Sequence, residues 1–327
     1  MSSILYQYFN RLKESAFDKN LYFFQYDRDN NNQPFSVHLK LRYDEHRTYD
    51  AWGNGLTKDE AYGKALMELI ERYTFASITP LNYKKLFGIN FKKTELKDIS
   101  TKHNIPLPCL HPTNTNGVAI HTSKKQALNS ALMELIERHT ILYSLVKKIS
   151  PHGKQTKKLS NNQVCQFYYW SSPMNTFVVV GVIQRENGWY FSSGCDFNLD
   201  AAIHKSILEI NSFLCLKEEA SNIKDYRIKV NDIDSFNRYH RYSGDRRIID
   251  FLEEESKEVI PKLDKKAFYY CDIPQPAIFK GLPKFYCVRV INPFVQQLFF
   301  DNWNHSYLNP LIFDQDTLLP EYPHIIA

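Results

Sequence analysis

The chain has 327 residues, 43% of them hydrophobic and 24% charged, with a net charge of +5. That length allows one to three domains around a sizeable core, and the dispersed basic residues leave no electrostatic footprint for nucleic acid. No apolar run approaches the roughly 18 residues of a membrane span. The six cysteines, with no C-x-x-C pair, zinc spacing or signal peptide, point to a reduced, cytoplasmic protein.

Residues 2–17 predict an amphipathic helix through Ile4, Leu5, Tyr8, Phe9 and Leu12. Residues 21–26 and 35–43 read as strands on either side of a turn-rich stretch, 27–33. Thr57-x-x-Glu60 is a capping-box pattern that opens a helix with an apolar stripe of Leu66, Leu69, Ile70 and Tyr73. On nearly the opposite side lie Lys64, Glu68 and Glu71. Residues 80–108 predict an irregular, basic surface connection. A second capping pattern, Ser123-x-x-Gln126, opens a helix that continues past residue 145 into a loop over 147–158. Strands are expected at 166–170, 176–184 and 188–192, and a third helix at 201–217. A polar helical excursion over 232–263 reads as a peripheral insertion, followed by strands at 267–271 and 285–291 and a tail over 313–327. Strands and helices alternate in clusters, which predicts an α+β layered fold forming one domain over 1–327.

One phrase is repeated. ALMELIER stands at residues 65–72 and again at 131–138, in similar flanks. A single duplication is too little for a solenoid, so it reads as a pseudo-symmetric pair of helices. A weaker third copy runs from Ser193-Gly194-Cys195, past a capping Asn198 or Asp200, to Glu209. Cys195 lies in the glycine turn of this copy, as a small packing residue. Each full copy carries two glutamates three positions apart, Glu68/Glu71 and Glu134/Glu137, whose carboxylates are neighbours on a helix. One reading is a solvated face, with Lys64–Glu68 as a local ion pair. The other has the copies facing one another. Four converging carboxylates then need cations, and an oxygen-rich set suits Mg2+, which binds through few carboxylates together with substrate phosphates.

These residues resemble a known family. Gly53-Asn54-Gly55-Leu56-Thr57, with Ala61 and then Glu68, Glu71 and Arg72, resembles the first motif of the YcaO family. Thr115 to Ala119, followed by Glu134, Glu137 and Arg138, resembles the second. The segment from Gly194 to Glu209 resembles the third, and Val288 to Phe294 resembles a late strand running into a proline. The matches stand in family order over roughly residues 40–300.

The resemblance implies a YcaO-like fold and an ATP- and Mg2+-dependent enzyme that acts on peptide backbone amides. A Cys, Ser or Thr side chain of a ribosomally made precursor peptide attacks the preceding carbonyl. ATP phosphorylates the resulting oxygen, and phosphate leaves to give an azoline. Alternatives within the family are thioamide formation with a TfuA-like partner, or a non-catalytic scaffold subunit of a biosynthetic complex. The resemblance implies Glu68, Glu71, Glu134, Glu137 and Glu209 as Mg2+ ligands, and Asn54, Lys64, Asn116, Thr122, Gln126, Arg138 and Arg289 as nucleotide contacts. It further implies His324 as a general base in the tail. A leader-peptide-binding partner (ThiF-like or TfuA-like) and a homo-oligomer or complex subunit are also expected. Departures from the family pattern fall at Asn54, where Lys is frequent, at Lys64, where Ser is usual, and at Ala119, Thr122 and Gln126.

Overall fold

The computed structural model describes residues 3–15, 22–26, 35–42, 48–77, 86–88, 93–94, 102, 115–159, 163–171, 174–185, 188–222, 246–255, 258–296, 305 and 308–320. Their order is helix α1 (Ser3–Ser15), strands β1 (Tyr22–Tyr26), β2 (Phe35–Arg42) and β3 (Thr48–Gly55), then helix α2 (Lys58–Ala76). Short strands β4 (Leu86–Gly88) and β5 (Lys93–Thr94) precede β6 (Val118–His121) and helix α3 (Lys124–Lys147). Strands β7 (Gly153–Lys158), β8 (Val164–Ser171), β9 (Phe177–Arg185) and β10 (Gly188–Asp196) lead into helix α4 (Leu199–Asn222). Helix α5 (Arg246–Glu253) and strands β11 (Tyr269–Ile273) and β12 (Tyr286–Ile291) complete the set. The mixture of helices and antiparallel sheets is the α+β class expected.

The chain divides into two compact units, Met1–Leu135 with Asp264–Val295, and Ile136–Leu263 with Gln296–Ala327. In the first, β1-β2-β3 form an antiparallel sheet, and a five-stranded sheet has the order β5-β4-β11-β12-β6. The α2 stripe is buried as its period requires: Leu66, Leu69 and Ile70 are inaccessible, and they join Tyr8, Leu12 and Leu39 in one apolar cluster. Thr57 caps α2 by accepting the N–H of Glu60, while the Glu60 carboxylate accepts the N–H of Leu56.

In the second unit, the sheet has the order β10-β9-β8-β7, and α4 lies against β10 and β9. Their shared core includes Phe167, Val179, Ile183, Ala202 and Ile203. Helix α5 buries Ile248, Phe251 and Leu252, and its Glu253 bonds Lys154 and the Tyr168 hydroxyl.

The structure adds strands where none is expected. Strand β3 contains Asp, Gly and Asn, residues depleted in sheets, and it is an outer strand with one paired side. Strand β7, within the expected 147–158 loop, reads GKQTKK, and β4 and β5 fall within the expected irregular 80–108 connection. Lysine-bearing outer strands lack the apolar alternation that reveals a strand, because charge there discourages edge-to-edge pairing. Gly194 and Cys195 lie in β10 rather than in a turn. No helix among the described residues is long and apolar enough to cross a membrane.

Candidate functional site

Three of the strands feed directly into the three glutamate-bearing helices: β3 into α2, β6 into α3 and β10 into α4. Each is an outer strand of its sheet among the described residues. At each junction a helix glutamate accepts a backbone N–H from the segment before it. Trp52 N–H donates to Glu68 Oε2 at 2.7 Å, Gly117 N–H to Glu134 Oε2 at 2.8 Å, and Ser193 N–H to Glu209 Oε2 at 2.7 Å. The recurring bond satisfies a backbone donor in or just before the outer strand.

Close packing makes the first and third junctions alike. A Cβ on Gly53 would lie 1.9 Å from Ala61 O, and one on Gly194 would lie 2.3 Å from Ala202 O. The second junction carries Ala119 where the other two have these glycines. Its glutamate takes the N–H of Gly117, one position nearer the N-terminus than the Trp52 and Ser193 donors of the other copies. The octapeptide identity pairs copies one and two, whereas the backbone geometry pairs copies one and three.

In the first unit, Glu68, Glu71 and Glu134 come together. Glu68 Oε1 accepts Arg72 Nη2 at 2.6 Å and Nε at 3.0 Å. Lys64 instead bonds Glu60 at 2.7 Å, so the Lys64–Glu68 pair of the solvated-face reading is replaced by two pairs of i, i+4 spacing. Half-buried Glu71 accepts the N–H of Ile120 at 3.1 Å. Burial holds its carboxyl pKa well above the usual range, and the Glu134 and Glu68 carboxylates add to the rise against the opposing pull of Arg72. Among the described residues, no three or more His, Cys, Asp or Glu side chains form a ready metal cluster. Mg2+ asks for less, because it keeps several waters and takes one or two carboxylates with phosphate oxygens.

In the second unit, Ser193 serves two carboxylates. Its Oγ–H donates to Glu137 Oε1 at 2.7 Å and stands 3.4 Å from Glu209 Oε2, which also accepts the Ser193 N–H. Arg138 is half-buried on α3.

The other expected contacts are placed one by one. Asn54 Oδ1 accepts the Ser36 hydroxyl at 2.6 Å, and Asn116 is fully buried in the turn before β6. Thr122 and Gln126 are exposed around the start of α3. Arg289 is inaccessible in β12, with its guanidinium 5.4 Å from the Phe75 ring. His324 lies outside the described residues. Burial pushes the Cys195 thiol up to about 12, which keeps it protonated and suits the packing role. The sequence gives Arg72 and Ser193 only as parts of the repeated motifs, without a role; the spacing of Arg72 from Glu68 is readable there, whereas the neighbours of Ser193 come from the fold.

A family profile described as YcaO cyclodehydratase, ATP- and Mg2+-binding, matches residues 100–294. The chain belongs to the YcaO family. Its fold is that of solved YcaO structures. The YcaO of Methanopyrus kandleri bound with AMPPCP and Mg2+ is 16% identical, with a TM-score of 0.58 and 89% of each chain covered. The E. coli microcin synthetase McbBCD complex with pro-MccB17 bound is 13% identical, with a TM-score of 0.63, 93% of this chain and 96% of that one covered. A heterocyclase in complex with substrate and cofactor is 11% identical, with a TM-score of 0.59 and 90% of this YcaO chain against 52% of its own length covered. No curated protein sequence matches.

Proposed function

We propose that this chain is an ATP- and Mg2+-dependent enzyme that activates peptide backbone amides, and that it forms azolines from Cys, Ser or Thr in a ribosomally made precursor. The observation that carries the reading is the meeting of Glu68, Glu71 and Glu134, with the Glu71 carboxyl raised by burial and by its two acidic neighbours. Family membership supplies the chemical class, and the microcin synthetase and heterocyclase structures support a peptide substrate.

In this reading Glu71, with Glu68 and Glu134 beside it, holds Mg2+, and Glu137 and Glu209 supply the second acidic set. Arg138 faces the nucleotide, with Asn54, Asn116, Thr122, Gln126 and Arg289 as further contacts and His324 as the base. ATP supplies the phosphoryl group that turns a poorly leaving amide oxygen into phosphate, and Mg2+ offsets the phosphate charge. The chain's own task is to position the peptide carbonyl and to hold these carboxylates in place before substrate arrives. A leader-peptide-binding partner, ThiF-like, would deliver the peptide, with this chain as a subunit of that complex.

Mass spectrometry of candidate peptides, incubated with the chain, ATP and the products of neighbouring genes, tests the proposal. Loss of one water per event is expected. Exchange of oxygen for sulfur would establish the thioamide reaction instead, and no modification together with no Mg2+-dependent ATP binding would mark a scaffold.

Lys64 gives a further prediction. Its ammonium sits on Glu60, both side chains largely exposed, and leaves Glu68 to Arg72. Lys64→Ser is expected to change stability by less than about 0.5 kcal/mol and to preserve or improve ATP affinity, measured by calorimetry. A large loss of affinity would show that the lysine reaches phosphate.

A further inference from the structure

We infer that Ser193 is a positioning residue for the second acidic set, acting through Glu137; this rests on the Mg2+ role proposed for that glutamate. The three strand–helix junctions separate what is architectural from what is added. A backbone N–H given to the first glutamate of a helix occurs at all three, from Trp52, Gly117 and Ser193. That bond belongs to the fold. The hydroxyl is different. Trp52 and Gly117, the donors at the other two junctions, carry no hydroxyl, whereas Ser193 gives its neighbouring carboxylates a second donor through its Oγ–H.

The single Oγ proton goes to Glu137 at 2.7 Å, and Glu209 Oε2 stands 3.4 Å away on the other side. One half-buried hydroxyl therefore spans a carboxylate on α3 and a carboxylate on α4. Its proton on Oε1 restrains the orientation in which the Glu137 carboxylate presents itself. Outer-sphere hydrogen bonds of this kind orient metal ligands, and losing one typically costs about 10–100-fold in metal affinity. Ser193→Ala removes the hydroxyl alone, because the N–H to Glu209 is retained by any residue but proline.

The test is Mg2+ binding to the full chain by calorimetry in the presence of a non-hydrolysable ATP analogue. Thermal unfolding without metal is followed in parallel. Ser193→Ala is expected to weaken Mg2+ binding about 10-fold with metal-free unfolding little changed. It should raise the Mg2+ concentration needed for half-maximal ATP turnover more than it lowers the maximal rate. Ser193→Thr, which restores a hydroxyl, should recover most of the affinity. Adding Ser193→Ala to Glu137→Gln should cost little more than Glu137→Gln alone. Wild-type Mg2+ affinity in Ser193→Ala, with Glu137→Gln impaired, overturns the role of Ser193 and leaves the Mg2+ reading standing. Undiminished binding in Glu137→Gln overturns both.

Discussion

Glu71→Gln is expected to do two opposite things: abolish Mg2+-dependent ATP turnover and stabilise the metal-free protein. The Glu71 carboxyl is held well above its ordinary range, chiefly by burial and then by the Glu134 and Glu68 carboxylates. A raised folded-state pKa means that the folded chain binds a proton the unfolded chain has released. The stability it contributes is whole below the unfolded carboxyl's pKa and is lost as pH climbs through the raised folded value. An amide is neutral throughout, keeps an oxygen for the Ile120 N–H and removes the repulsion. Near neutral pH the metal-free variant should therefore melt about 2–4 °C higher, the shift that about 1 kcal/mol produces in a unit of 150–250 residues. Its stability should also depend less on pH above the ordinary carboxyl range. Turnover should fall by at least about 100-fold, since a direct ligand matters no less than an outer-sphere partner. Calorimetric unfolding with and without Mg2+, alongside a phosphate-release assay, reads both effects. Wild-type turnover in this variant would end the metal assignment.

Gly53→Ala is expected to be the most damaging small change to the first unit. The added Cβ would meet Ala61 O at 1.9 Å and Ala65 N at 2.3 Å, which are backbone atoms inside α2. Neither can rotate aside, so β3 and α2 must separate, and with them the Trp52–Glu68 bond. Overpacking of this kind costs about 1–3 kcal/mol or more, and backbone obstruction places Gly53 at the upper end. Gly181→Ala is the internal comparison. Its Cβ would meet Ser206 Oγ at 2.4 Å and Ser192 Oγ at 2.9 Å, side-chain ends that can turn away. Denaturant unfolding should show the larger loss at Gly53. An equal or smaller loss there would mean that the strand–helix spacing relaxes cheaply.

Much of this architecture was legible before any coordinates. The spacing of Leu66, Leu69 and Ile70 announced a buried helix face, and those residues are inaccessible. The capping pattern at Thr57 placed the helix start to the residue. Outer strands were harder to read. GKQTKK in β7 is a lysine-bearing outer strand without apolar alternation, and TYDAWGNG in β3 packs against α2 through small residues, Ala51 and Gly53, rather than large apolar ones. Which glutamate Lys64 pairs with was hidden for a related reason. On a helix, each charge has partners both three to four residues before and after it, and local spacing does not choose between them.

The sequence by itself determined the helices, their apolar faces, the pairing of glutamates three residues apart and the resemblance to the YcaO family, since these depend on periodicity and on residue identity. Only the tertiary structure decided which glutamate each backbone donor serves, why Glu71 rather than Glu68 is crowded, and that the third copy matches the first more closely than its identical twin does. Those outcomes depend on which segments pack together across the chain, which local periodicity does not encode. At the first and third junctions strand and helix approach so closely that no Cβ fits on Gly53 or Gly194.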